Sequence, residues 1–436
     1  MKKLLFYWKQ LKATFWFLPM LIISFSIFLS VGLVSLDNNI NISFEGWLRF
    51  FLVNSSDSAR SILTTISGAM IGVAGTVFSV TLVALTLASS QFGPRLIKNF
   101  MYVKLNQIVL GSYVSTYLYC LLVLNAIKDN ENYTFIPTIS IFVAILATVF
   151  NIILLIIFIH QIAISIQADR VVSDISNFIE NQVKNLFPDK IGEYMNEDMF
   201  IDTAKIISQY KHSTILKSPK SGYLQNIDNQ ALLKIVEKHD SLIEINYKTG
   251  DFFVKDLEIG VIHSHELWEE NAINQLIGQF VIGKTKTSQQ DIEFSIHQMV
   301  EIAARALSTG VNDPYTAISC VDHLTAVMCY LAEAQFPSKY RYDQSKQLRV
   351  IAENLDFEGV LDAAFNQIRQ FSTGSTAVII RLMEAQITIL KFTKTKSHKK
   401  ALIKHAEMIL TVGKQTIKEK NDLDDLEERA KKILNN

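Results

Sequence analysis

The sequence predicts a mainly α-helical protein with a four-span transmembrane helical domain, a stalk helix, a small β module and a helical cytoplasmic domain. Four apolar segments before residue 165 approach or exceed the roughly 20 residues that cross a bilayer core. Beyond residue 265 apolar residues recur at helical spacing, whereas shorter stretches before it alternate as strands do. The predicted domains are 1–165 (transmembrane), 166–215 (stalk and linker helices), 216–264 (β module) and 265–436 (helical).

Charged residues predict how the spans are oriented. Lysine and arginine precede span one and separate spans two and three, whereas the other two loops carry most of the acids. Positively charged loops stay on the cytoplasmic side, so both termini are predicted to be cytoplasmic. We read the basic N-terminus as part of a retained first helix. The predicted spans are residues 15–36, 61–89, 107–124 and 137–160.

Span two is predicted to be the packing axis of the membrane bundle. No charged residue lies between Arg60 and Arg95. Small residues recur there in alternating steps of three and four, which places them on one helix face. That face favours close contact with another helix, or else it lines a pore through its hydroxyl groups. Its residues, called the small-residue stripe below, are Thr65, Gly68, Gly72, Gly75 and Ser79.

Span four contains two polar exceptions, Asn151 and His160. An ionisable group at membrane depth is a functional candidate, although His160 also fits an ordinary position at the headgroup boundary. No helix breaker follows, so the helix is predicted to continue as a stalk to about Phe187, before Pro188.

The predicted β module is similar in two short segments to barrel-sandwich hybrid domains of the biotinyl-lipoyl type: SPKSGYLQ and TGDFFVKDLEIGVI. It has no Met-Lys-Met carrier sequence, so no covalent cofactor is predicted. His263 and His265 could begin a metal site, but no third ligand stands at a defined spacing, so no metal site is predicted.

Eight helices are predicted after the β module: Asn271–Val281, Gln289–Leu307, Pro314–Ala334, Gln344–Glu353, Phe357–Phe371, Thr376–Phe392, Lys399–Lys418 and Leu423–Leu434. The densest polar cluster spans two of them. It is either a capped helix corner, with Gly310 as the left-handed residue, or an anion pocket formed by Arg305 and a helix N-terminus. The members of this 291–316 motif are Asp291, Glu301, Arg305, Asn312, Asp313 and Thr316.

Several motifs in order resemble the bacterial inner-membrane family named domain of unknown function 2254. The resemblance implies a multi-span protein of the bacterial inner membrane with a cytoplasmic domain, and it implies no established activity. The motifs are SSQFGPR, NQIVLGSYVSTYLYCLLVL, HQIAISIQ, SGYLQNID, TSQQDIEFSIHQMVEIAARALSTGVNDPYTAISCVDHL and DFEGVLDAAFNQIRQF.

Three functions remain open. The first is a non-enzymatic, channel or transport-like homo-oligomer in the lipid bilayer. The second is a membrane-tethered signalling or scaffold protein whose helical domain binds a cytoplasmic protein partner. The third is an enzyme that uses the polar residues between 291 and 313. No Walker loop, GxGxxG, HExxH or GxSxG motif occurs, so no catalytic residue is assigned. The formal net charge of zero gives no indication of nucleic acid binding.

Overall fold

The structure, a computed structural model, forms two compact units, Met1–Arg170 and Val171–Asn436. It describes residues 14–39, 55–93, 104–130, 133–165, 167–186, 201–287 and 291–435. The basic segment predicted before span one, and most of the one between spans two and three, lie outside the described residues.

The first unit contains the four predicted spans. All four helices are long and apolar enough to cross a membrane, which confirms the predicted helical membrane architecture. A short antiparallel hairpin, which the sequence analysis did not predict, joins the last two helices. The elements are α1 (Phe17–Asn39), α2 (Ser56–Phe92), α3 (Lys104–Ala126), β1 (Lys128–Asn130), β2 (Tyr133–Phe135) and α4 (Thr138–Ser165).

The centre of this bundle is α3 rather than α2, so the predicted packing axis was wrong. Helix α3 packs against α1, α2 and α4, and 50% of its most apolar window is buried, compared with 17% for α2. A Cβ atom at Gly111 would lie 3.0 Å from Pro19 Cα and 3.1 Å from Ile22 Cδ1. Within the described part of the membrane bundle, a glycine in span three therefore permits close helix approach.

Asn151 forms a buried polar hub between α4 and α3. Its side chain is fully buried, accepts a hydrogen bond of 2.7 Å from the Ser112 hydroxyl and donates one of 2.8 Å to Thr116 Oγ1. The Tyr113 hydroxyl donates to the Asn151 carbonyl at 2.7 Å. A membrane interior offers no water, so these groups need partners within the protein. His160 is exposed on the surface of α4.

Asp37, at the end of α1, caps the first turn of α4. Its carboxylate accepts hydrogen bonds from the backbone N–H groups of Ile139 (2.9 Å) and Ser140 (3.0 Å). It also accepts a bond of 2.6 Å from the Ser140 hydroxyl. The first N–H groups of a helix have no partner inside it. The Tyr119 hydroxyl on α3 donates to the Ser140 carbonyl at 2.9 Å, so three helices meet at this cap.

The stalk forms a separate helix, α5 (Ala168–Leu186), whereas the sequence predicted one uninterrupted helix from span four. From Val171 onward α5 belongs to the second unit. Its apolar face buries Val172, Ile179 and Val183.

The described residues of the second unit form two sheets. One has the strand order β3-β7-β5-β10-β9, and the other β6-β4-β8. Neighbouring strands are antiparallel except β5 and β10, which pair in parallel with Val350 opposite Ile243. The elements are α6 (Thr203–Ile207), β3 (His212–Lys217), β4 (Gly222–Ile227), α7 (Asn229–Lys238), β5 (Leu242–Ile245), β6 (Phe252–Phe253), β7 (Glu258–Ser264), α8 (Glu270–Ile277), β8 (Phe280–Gly283), β9 (Tyr340–Tyr342) and β10 (Leu348–Ala352).

The helix predicted at Gln344–Glu353 was wrong, because this segment contributes β10. Its short apolar run fits a helix or a strand equally well by periodicity. Pairing with β5, about a hundred residues earlier in the chain, decides between them. Likewise, the helix predicted at Asn271–Val281 ends at Ile277 and is followed by β8.

The other predicted C-terminal helices are present, and their bounds differ by a few residues. Helix α9 packs against α10 and α11, and α12 packs against α10, α13 and α14. They are α9 (Ile292–Ala306), α10 (Pro314–Glu333), α11 (Phe357–Phe371), α12 (Thr376–Leu390), α13 (Lys396–Thr416) and α14 (Lys420–Leu434).

Candidate functional site

All five residues of the small-residue stripe lie on the exposed face of α2. The buried face of the same helix is a different one and includes Leu63, Met70 and Val77. A Cβ atom built on Gly68, Gly72 or Gly75 would meet no atom of the described chain within 4 Å. The stripe therefore faces away from its own bundle.

The hydroxyl groups of this face bond to their own helix. Thr65 donates to the Ser61 carbonyl at 2.7 Å, and Ser79 donates to the Gly75 carbonyl at 2.9 Å. Bonds of this kind to the preceding turn satisfy a hydroxyl without any other partner. The face can therefore lie against lipid or another helix, and its hydroxyls can also turn toward water.

The 291–316 motif divides into two separate places. Asp291 is the N-cap of α9, whereas the other five residues lie near the C-terminal end of that helix or beyond it. The 15 residues of α9 span about 22 Å at 1.5 Å per residue. The structure therefore does not bring the polar residues between 291 and 313 into one pocket.

The second place is the corner between α9 and α10, which is capped by Asp313, the first of the two arrangements that the sequence left open. Asp313 Oδ1 accepts a hydrogen bond of 3.1 Å from the Thr316 N–H, and Oδ2 accepts one of 2.5 Å from its hydroxyl. The carboxylate thus occupies the helix N-terminus where an anion would bind. Arg305 lies 3.6 Å from Glu301. The left-handed residue is Asn312, with φ of 51°, and not Gly310 as predicted.

Asp291 is buried with part of its carboxylate unpaired. Oδ1 accepts a hydrogen bond of 2.9 Å from the Phe294 N–H, while Oδ2 has no partner among the described residues. A Cβ atom at Gly250 (φ 100°) would overlap that oxygen, so only glycine fits against it. Burial raises the pKa of Asp291 to about 6, because desolvation disfavours the charged form.

A buried arginine of β10 joins the turn after α7 to the turn between β9 and β10, and it was not predicted from the sequence. Arg349 donates from Nε to Asp343 Oδ2 and from Nη1 to Asp240 Oδ1, both at 2.7 Å. Burial alone would lower the pKa of Arg349, but the hydrogen bonds to the two carboxylates outweigh it and raise that pKa. Because Arg349 lies in the segment predicted to be helical, its partners could not be foreseen.

His263 uses both ring nitrogens inside the sheet. Nδ1 lies 3.0 Å from the Ser213 hydroxyl oxygen, and Nε2 lies 3.1 Å from Glu244 Oε2. The three residues form a row across β3, β7 and β5, while His265 is exposed. Within the described parts of the chain, no group of three or more potential ligands could hold a metal ion.

We predict that Asp291→Asn stabilises the second unit above pH ~6. In the folded protein the pKa of the Asp291 carboxyl is about 6, above its ordinary value of 3.8. The protonated carboxyl therefore stabilises the fold at pH values below 3.8. This contribution is lost as the pH rises through the native value. Asparagine can also cap the helix and carries no charge. The Asp291→Asn variant should therefore raise the free energy of unfolding by on the order of 1–3 kcal/mol at neutral pH.

The measurement is thermal unfolding of both proteins across this pH range. Asp313→Asn, the same change at a half-buried cap, controls for the intrinsic difference between the two cap residues. Parallel pH profiles for the wild type and Asp291→Asn would contradict the prediction.

Comparison with known proteins gives the family of the chain. A family model described as "Predicted membrane protein (DUF2254)" matches residues 12–387. An uncharacterised protein of Mycobacterium bovis is 28% identical over 376 residues, which cover 84% of this chain and 70% of the relative. An uncharacterised protein of Mycobacterium tuberculosis matches equally well. No solved structure matches the chain. The chain therefore belongs to the DUF2254 family of predicted membrane proteins.

Proposed function

We propose that this protein is a channel or transport-like protein whose copies meet through the small-residue stripe of α2. The observation that carries this proposal is the open space beside Gly68, Gly72 and Gly75 on the outer face of a membrane helix. Helix association in a bilayer depends on close packing, which glycine faces permit. A second copy of α2 is the partner that such a face fits best.

The interior of the bundle favours a pathway between copies over one through a single copy. Its centre is filled by Tyr113, with 1% of its surface exposed, and by the fully buried Asn151. Hydroxyl groups are spread along the outer face of α2 and could line a hydrated path there. They belong to Thr64, Thr65, Thr76, Ser79 and Thr86, all of which are exposed.

The length of α2 adds support. At 1.5 Å per residue its 37 residues extend about 55 Å, against roughly 30 Å for a bilayer core. The stripe itself, from Thr65 to Ser79, spans about 21 Å, and the remaining turns of α2 lengthen the surface that a second copy could contact.

We predict that Gly72→Leu, in the middle of the stripe, disrupts assembly or flux without unfolding the protomer. No described atom lies within 4 Å of the added Cβ position, so the protomer has room for the side chain. If the stripe is only a contact, Gly72→Leu should prevent crosslinking between copies and Gly72→Ala should be tolerated. If the stripe lines a path, Gly72→Leu should assemble but block flux, whereas Gly72→Ser should conduct.

Gly32→Leu is the matched control, because Gly32 on α1 also has no neighbour within 4 Å. Crosslinking and liposome flux are measured on each purified variant. Normal assembly together with normal flux for Gly72→Leu would mean that the stripe faces lipid, which would contradict the proposal.

We also propose that the protein lies in the bacterial inner membrane with both termini in the cytoplasm. The support is the distribution of lysine and arginine along the sequence. Reporter fusions after residue 130 should then report the periplasm, and fusions after residue 436 the cytoplasm. The reverse pattern would contradict the orientation and the cytoplasmic placement of the second unit.

A second candidate is a membrane-tethered signalling or scaffold protein. It is favoured by two apolar side chains exposed at the α9–α10 corner, Val311 at 57% and Tyr315 at 80%. A cytoplasmic protein partner could cover them. Absence of flux from assembled wild-type protein, together with loss of a copurifying partner in Tyr315→Ala, would favour this candidate over a channel.

A further inference from the structure

A basic groove lies between α12 and α14 at the beginning of α13. Its volume is about 730 Å³, within the range of small-molecule sites. Apart from the alkyl chains of its charged residues, the apolar lining of the groove consists of Ile387 and Leu390. Its charged lining consists of five cations and one carboxylate: Arg381, Lys391, Lys399, Arg429, Lys432 and Glu384.

Carboxylates hold the two arginines of the groove in place. Arg381 donates to both oxygens of Asp322, at 2.5 and 2.8 Å, and to Glu384 at 2.8 Å. Arg429 donates to Glu384 and also to Asp425, at 3.0 Å. These bonds fix the guanidinium groups while 41% and 31% of the two arginine side chains stay exposed. Five cations therefore line the groove, against the lining carboxylate of Glu384 and the carboxylates of Asp322 and Asp425 that hold the two arginines.

The positive charge at the beginning of α13 independently favours the binding of an anion. It contains Lys396, Lys399 and Lys400 and no acidic residue. The N-terminal end of a helix carries partial positive charge, so cations there are unfavourable and a bound anion is favourable. One of these lysines, Lys399, lines the groove. An anion in the groove would therefore relieve the repulsion at this helix end.

Two other lysines near this helix end, Lys394 before α13 and Lys404 further along it, do not line the groove. Lys394 lies 3.6 Å from Glu333, and Lys404 lies 2.7 Å from Glu358. The groove therefore takes up only part of the lysine-rich segment 391–404, and these two lysines offer a control for charge alone.

We infer that the groove binds an anionic phosphate group, carried either by a soluble compound or by a lipid headgroup. The three lysines act as point charges that suit phosphate oxygens, and the exposed parts of the two arginines add positive charge around them. The limited apolar lining favours the phosphate itself as the recognised group. The inference goes beyond the proposed transport role and does not depend on it.

The test uses the full chain in nanodiscs of neutral lipid, with tripolyphosphate as the soluble probe. Calorimetry should show binding that weakens with added salt. Lys391→Gln/Lys399→Gln should weaken it about tenfold or more, which corresponds to the loss of two charged contacts. Lys394→Gln/Lys404→Gln removes the same charge outside the groove and should bind like the wild type.

A second arm compares neutral nanodiscs with nanodiscs that contain phosphatidylglycerol. A rise in Tm with phosphatidylglycerol that disappears in Lys391→Gln/Lys399→Gln, without tripolyphosphate binding, would identify a lipid headgroup as the source. Groove-dependent tripolyphosphate binding would identify a soluble one. Equal effects of the two double variants, or no response to either probe, would overturn the inference.

Discussion

The membrane unit depends on one constraint, which is that polar groups inside a bilayer must find partners within the protein. The Asn151 side chain satisfies this constraint because it accepts a hydrogen bond from Ser112 and donates one to Thr116, both on α3. Asp37 meets it at one end of the bundle by capping α4. Because these partners come from different helices, satisfying them also fixes which helices are neighbours. The result is a filled interior around α3 and an outer face of α2 with open space beside its glycines.

The sequence predicted the elements better than their arrangement. Runs of apolar residues identified the four spans, and the helix predicted from Pro314 matches the start of α10, because these signals are local. The central position of α3 depends on the fit of Gly111 against Pro19 and Ile22, far away in the sequence. Strand β10 likewise depends on its pairing with β5, and no local pattern could show that pairing.

The candidate sites show the same limit. The small residues of α2 were identified from their spacing, but only the structure shows that they face outward. The 291–316 motif is continuous in sequence, yet a straight helix separates Asp291 from the corner. The lysines of residues 391–404 are visible in the sequence as charge alone. The two arginines that complete the basic groove come from α12 and α14, so their convergence required the fold.

The central claim is that the Asn151 hub holds the membrane bundle together. A double-mutant cycle between Asn151→Leu and Thr116→Val, measured by unfolding in bilayers, tests it most directly. A hydrogen bond between membrane helices predicts a coupling energy of about 0.6 kcal/mol, and up to about 1.7 kcal/mol. The matched cycle with Thr148→Val should give none, because Thr148 bonds to its own helix at the Ala144 carbonyl. Equal coupling in the two cycles would contradict the account.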